Sequence, residues 1–192
     1  MISERRESPA RRRVHDTATA LFYTQGVHAV GIDRIIAGAG VAKATFYHHF
    51  PAKDDLVRAY VEEQDRLQRQ AAERLRAGSA SPRDTLLRIF AHMAEVGAGP
   101  AYRGCPFVNV AAEYPHPDHP VRRAVAAYRE WLRGLFAGLL AEAGDPEPAR
   151  TAGVLMLIRD GVVVGSDLDD PALAPGLIRD AVLRVLAAPA GR

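Results

Sequence analysis

Only two lysine side chains occur in the chain, Lys43 and Lys53. The residues between them, Ala44, Thr45, Tyr47, His48 and His49, form an unusual set. Cations and hydroxyl donors suit phosphate oxygens, whereas small or hydrogen-bonding side chains suit the edges of bases. In a helix over 43–50, Lys43, Ala44, Thr45, Tyr47, His48 and His49 are presented outward, while Val41, Phe46 and Phe50 turn inward. His48 reads equally well as a packing or solvent-facing residue. The charge of the chain supports a polyanion partner only locally. Residues 1–53 hold eight basic and four acidic side chains, a net +4 in a chain whose total is +2, which leaves −2 for the rest.

The elements around this set are those that a helix-turn-helix needs. Ile32, Ile35, Ile36 and Ala39 share one face of a short helix, Gly40-Val41 makes a tight turn, and the second short helix ends before Pro51. A longer helix precedes them from Pro9, with Val14, Ala18, Leu21 and Phe22 at spacings of three and four, and Gly26 stops it. Another begins near Lys53, where Asp54 and Asp55 suit the positive end of a helix dipole, and closes at Gly78. Ser81-Pro82 opens the next, carrying Leu86, Leu87, Phe90, Met93 and Ala94. Further helices read over Pro106 to Tyr114, 120–143, 149–165 and 172–187, separated by a Pro-rich turn at 115–120 and a loop at 144–148. No strand pair and no internal repeat appear. The fold class is all-α with about nine helices. Periodicity alone would describe an ordinary helical core just as well.

The run Gly40-Val41-Ala42-Lys43-Ala44-Thr45-Phe46-Tyr47-His48-His49-Phe50-Pro51-Ala52-Lys53-Asp54-Asp55-Leu56 is more specific. It resembles the signature of the TetR family of transcriptional regulators, in residue order, spacing and type together, and the similarity extends over about residues 10–60. The resemblance implies an N-terminal three-helix helix-turn-helix DNA-binding domain over 1–53, with the start of a linking helix. A C-terminal helical ligand-binding and dimerisation domain would follow over 54–192. It implies that Thr45, Tyr47, His49 and Lys53 contact phosphates or bases and that Lys43 and Ala44 face the major groove. It also implies a homodimer on a double-stranded DNA operator, a small-molecule effector, and repression as the default. Gly31 stands where the family usually has Thr or Ser at the N-cap of the second helix, a weaker cap with no side-chain acceptor. Ile36 stands where Ala is common.

Less is readable beyond residue 60. An effector pocket between helices has Phe90, Met93, Phe107, Asn109, Glu113, Trp131 and Met156 as candidate lining, each of which could instead be ordinary core. Asn109 and Glu113 are polar and four apart on an otherwise apolar helix. The last two helices carry more apolar residues than one stripe requires, so Leu155, Ile158, Val162, Ile178 and Val182 are expected in a symmetric dimer contact, with Gly161 and Gly165 permitting close approach. Cys105, beside Pro106 at a helix start, is the one residue for an alternative reading as a thiol-based redox sensor or helical enzyme. No nucleophile–base motif accompanies it. Glu113, His116, Asp118 and His119 bear metal-binding side chains, but the intervening prolines set separate directions, so neither metal nor cofactor is expected. A single cysteine excludes a disulfide framework within one chain. Met1 to Arg13 lacks the apolar stretch of a secretory leader, and no run is long enough to span a bilayer. A cytoplasmic, non-enzymatic protein is the expectation.

Overall fold

A computed structural model describes residues 8–169 and 174–187. The polar segment expected at the start and the first two residues of the last expected helix lie outside these. Among the described residues the order is α1 (Pro9–Gln25), α2 (Ile32–Ala39), α3 (Lys43–His49), α4 (Lys53–Ala77), α5 (Pro82–Gly97), α6 (Pro106–Glu113), α7 (Pro120–Glu142), α8 (Pro148–Leu168) and α9 (Ala174–Ala187), with no strand. The fold is all-α, as the periodicity requires.

The helix ends are set by local chemistry. Gly26 at φ 83° closes α1, its N–H donating to Phe22 O at 3.0 Å. Gly40 closes α2 in the left-handed region, φ 61°. Its N–H donates to Ala37 O and that of Val41 to Ile36 O, both at 3.3 Å, the paired bonds of a Schellman end. α3 stops at Phe50, extended before Pro51. At α5 the Ser81 hydroxyl accepts from Asp84 N at 3.1 Å, and the Asp84 carboxylate accepts from Ala80 N at 3.0 Å, a reciprocal cap. α8 runs on to Leu168, three residues past the expected stop at Gly165. A glycine inside a helix weakens it without ending it, and Asp169 N–H donates to Gly165 O at 2.9 Å.

The described residues fall into two compact units. One holds the residues up to Asp65 together with Pro106–Val125; the other holds Arg66–Cys105 and those from Ala126 onward. This division by contacts is not the one expected at 53/54, because α6 and the start of α7 return to the N-terminal unit. In that unit α1, α2 and α3 pack on one another, with Val14, Ala18, Phe22, Ile35, Phe46, Phe50 and Tyr60 buried. Phe22 meets Tyr60 edge-on at 5.9 Å. A Cβ on Gly38 would lie 2.9 Å from Thr17 Cγ2, so α1 and α2 approach closely there.

In the second unit α5, α8 and α9 pack mutually, and Phe90 stacks on Phe136 at 5.5 Å. Gly97 admits α8 so closely that a Cβ would fall 2.5 Å from Ser166. The residues expected to meet a second copy also have surroundings within the chain. Leu155, Val162, Ile178 and Val182 are buried within the chain itself, and Ile158 is half-buried. The apolar surplus of α8 lies on its other side, where Val154, Leu157, Val164 and Leu168 are exposed, joined by Leu177 on α9. Val154, Leu157, Gly161, Val164 and Leu168 recur at alternating steps of three and four, one continuous seam along the helix. A Cβ on Gly161 would meet nothing within 4 Å.

Candidate nucleic-acid interface

α3 is anchored from beneath. Phe46 and Phe50 are buried with ring centroids 6.1 Å apart, and Phe46 meets the Tyr47 ring edge-on at 5.2 Å. Its opposite side carries exposed Lys43, Ala44, Tyr47 and His48, with Thr45 and His49 half-buried. Tyr47 is 41% exposed, a large aromatic left in solvent on a seven-residue helix. The structure thus brings Lys43, Ala44, Thr45, Tyr47, His48 and His49 onto one short helix, with Phe46 turned in as the spacing requires. Val41, expected to turn in, is half-buried.

Neighbouring charges orient this surface. Lys43 Nζ lies 3.2 Å from Asp33 of α2, both well exposed. His48 and His49 meet edge-on at 4.9 Å, and His49 Nε2 lies 3.3 Å from the Ser8 hydroxyl. Arg13 donates to Ala39 O at 3.2 Å, satisfying a carbonyl at the end of α2, and the Arg11 guanidinium lies over Phe50 at 5.0 Å. Gly31 caps α2 without any side-chain bond, and Arg34 donates to Gln25 at 2.6 Å. Ile36 is half-buried, so its added volume is shared with solvent.

Lys53 opens α4 in a partly desolvated setting. Burial pushes its ammonium below the ordinary lysine value, and the Glu113 and Asp54 carboxylates oppose that shift. Asp54 also accepts from the Tyr114 hydroxyl at 2.8 Å and lies 3.2 Å from His119 Nε2. Burial, then the Asp54 bond, raise the Tyr114 phenol and keep it a donor. Glu113 accepts from two consecutive amides, Val27 N at 2.7 Å and His28 N at 2.6 Å. Sequence reasoning had no signal for the two bonds that Glu113 accepts. The donors are backbone groups more than eighty residues away in the chain, and a backbone amide has no residue signature.

The candidate pocket residues are divided between the two units. Phe107, Asn109 and Glu113 lie on α6, which belongs to the first unit. Phe107 is buried, Asn109 is exposed, and the Glu113 carboxylate is engaged by the Val27 and His28 amides. Phe90 and Met156 are buried in the second unit. Met93 and Trp131 do come together, lining a small open cleft with Gln68, Ile89, His92 and Leu135. It leaves about 20 Å³ for the centre of a water-sized sphere, little more than one water needs. The Arg69 guanidinium lies over Trp131 at 4.5 Å.

Cys105 is buried, and Arg159 donates to its sulfur at 2.9 Å. Arg159 also donates to Asp160, which accepts two further bonds from Arg129 at 2.8 and 2.7 Å. Burial disfavours the Arg159 charge, but Cys105, Tyr128 and Asp160 outweigh it and hold the guanidinium above its ordinary value. Burial likewise works to raise Asp160, yet the two arginines hold its carboxyl below the usual range. Among the described residues no group of three or more His, Cys, Asp and Glu is placed to hold a metal ion. None of the described helices is long and apolar enough to cross a membrane.

An anchored short helix offering cations, a hydroxyl and small side chains, set after a Gly-containing turn, defines a helix-turn-helix DNA-binding protein. The family model for bacterial regulatory proteins of the tetR family matches residues 15–60. A crystal structure of a TetR-family transcriptional regulator from Streptomyces coelicolor, SCO4454, is 40% identical and superposes with a TM-score of 0.89 over 94% of this chain and 95% of that one. A putative TetR-type regulator from Streptomyces avermitilis is 27% identical, with a TM-score of 0.82 over 94% and 97%. The HTH-type transcriptional regulator LmrA of Bacillus subtilis is 28% identical over 161 residues, 81% of this chain and 85% of that protein. The chain belongs to the TetR family and is a DNA-binding transcriptional regulator.

Proposed function

We propose that the chain is a ligand-responsive repressor, acting in the cytoplasm as a homodimer without a chemical step of its own. Residues 1–53 read DNA, and 54–192 bind the effector and the second copy. Lys43 and Ala44 enter the major groove; Thr45, Tyr47, His49 and Lys53 reach phosphates or base edges, with His48 beside them. The observation that carries the reading is the exposed row of α3 above the buried Phe46 and Phe50. Pairing runs along the seam of Val154, Leu157, Val164 and Leu168 rather than through Leu155 or Val182. The effector binds between helices of residues 54–192, and favours a conformer whose reading helices no longer match the DNA.

Lys53 gives the test of the docking geometry. Lys53→Ala is expected to weaken binding to duplexes of every sequence and to reduce the slope of log affinity against log salt by about 1. The measurement is a fluorescence-anisotropy titration at several salt concentrations with DNA from upstream of the protein's own gene. Unchanged affinity and slope would remove Lys53 from the interface.

A further inference from the structure

We infer that Glu113 is a positioning residue for DNA reading. Its carboxylate fixes the α1–α2 loop and so sets how well α3 discriminates its DNA, an inference that rests on the regulator reading above. The loop is built to receive an anion. Gly26 takes φ 83°, and the next two N–H groups point at one carboxylate, each bonding a different oxygen, at 2.7 and 2.6 Å. Successive amides arranged in this way form an anion-binding concavity, and the short distances are those of charge-assisted bonds. Gly26 is needed for the positive φ, and a Cβ there would lie 3.1 Å from Glu113 Oε1, a tight approach to the end of that side chain. His28 adds its ring, with Nδ1 3.6 Å from Glu113 Oε2.

The same segment holds a second point. Tyr114 donates to Asp54, and His119 pairs with it, at the first turn of α4 beside Lys53. Residues 113–119 therefore grip the chain just before α2, at 27–28, and just after α3, at 54. The helix-turn-helix is bracketed by two anchors from one segment. α2 has no side-chain cap of its own at Gly31, so its entry depends on the loop that Glu113 holds. The grip is also conditional. A carboxylate at the C-terminal end of α1 faces the negative end of that helix dipole, and the two local amides, His28 and the Lys53 ammonium offset it. The segment leaves the second unit after Cys105 and rejoins it at Ala126.

The test is Glu113→Gln, which keeps the shape but turns one accepting oxygen into a donor facing an N–H. Binding is measured by fluorescence anisotropy on two duplexes of equal length, one from upstream of the protein's own gene and one of random sequence. The Val27 and His28 amide signals are followed by NMR, and helix content by circular dichroism. Losing charge-assisted bonds is expected to lower affinity for the upstream duplex at least about tenfold. Affinity for the random duplex stays at the wild-type level or rises slightly, the two amide signals move upfield, and helix content is unchanged. Glu113→Asp, which keeps the charge but draws the carboxylate back by one methylene from both amides, is expected to weaken binding to the upstream duplex alone in the same way, and decides the matter if Glu113→Gln does not fold. Wild-type affinity for the upstream duplex despite moved amide signals overturns the inference, as does an equal loss on both duplexes. Wild-type protein that binds neither duplex overturns the regulator reading and the inference with it.

Discussion

Replacing Leu157 and Leu168 together by aspartate is expected to yield a folded monomer that binds DNA a hundredfold or more weakly. These two side chains are 72% and 75% exposed in the isolated chain, so the substitutions remove little internal packing. In a two-fold interface each residue acts twice. Burying four leucines is worth roughly 1.5–3 kcal/mol apiece, and an unpaired carboxylate in their place adds a desolvation penalty. Once the copies separate, the second half-site contact is no longer intramolecular, and linked binding of that kind commonly contributes about 10² to 10⁴ in affinity. Analytical ultracentrifugation and anisotropy check the two halves of the expectation. A double variant that stays dimeric places the interface elsewhere. Val182→Asp serves as the contrast: Val182 is 0% exposed, so a charge there unfolds the chain and reports nothing about pairing.

Phe46→Ala is expected to be the most damaging single truncation in the N-terminal unit. Phe46 is 0% exposed and lies against the rings of Phe50 and Tyr47. Truncating a buried phenylalanine costs about 3–5 kcal/mol, a large share of the 5–15 kcal/mol that stabilises a typical protein. α3 has seven residues, far too few to stay helical without packing. DNA binding is therefore lost before the bulk of the helix signal. Thermal unfolding should show a lowered midpoint for the transition that follows Tyr47 environment, with most ellipticity intact when binding has gone. Tyr47→Ala, at an exposed site on the same helix, should change stability by less than about 1 kcal/mol. Equal destabilisation by the two variants would mean that the inward and outward sides of α3 are wrongly assigned.

The architecture was largely legible because its punctuation is local. Gly26, Gly40, Pro51 and Ser81-Pro82 act on their immediate neighbours, and the helix ends fall at or beside them. The two sides of α3 followed from the positions of Phe46 and Phe50. What periodicity could not decide was the identity of each partner. α8 carries apolar residues on more than one side, and periodicity does not distinguish Leu155, which meets its own core, from Leu157, two residues on, which meets solvent. Asn109 and Glu113 read as pocket candidates because they are polar and four apart on an apolar helix, and periodicity carries no sign that this segment folds with the N-terminal unit. Glu113 was visible as a polar group on an apolar helix. Its engagement with Val27 and His28 was not, since those donors belong to the backbone.

The central claim is that two copies present their α3 helices to one face of a duplex. Iterated selection from random-sequence duplexes, with the wild-type protein immobilised and the enriched pool sequenced, tests it most directly. The account predicts enrichment of an inverted repeat whose half-site centres are separated by about one helical turn, roughly 10–10.5 base pairs. A pool that never departs from its starting composition, or one that converges on a single unpaired half-site, would contradict it.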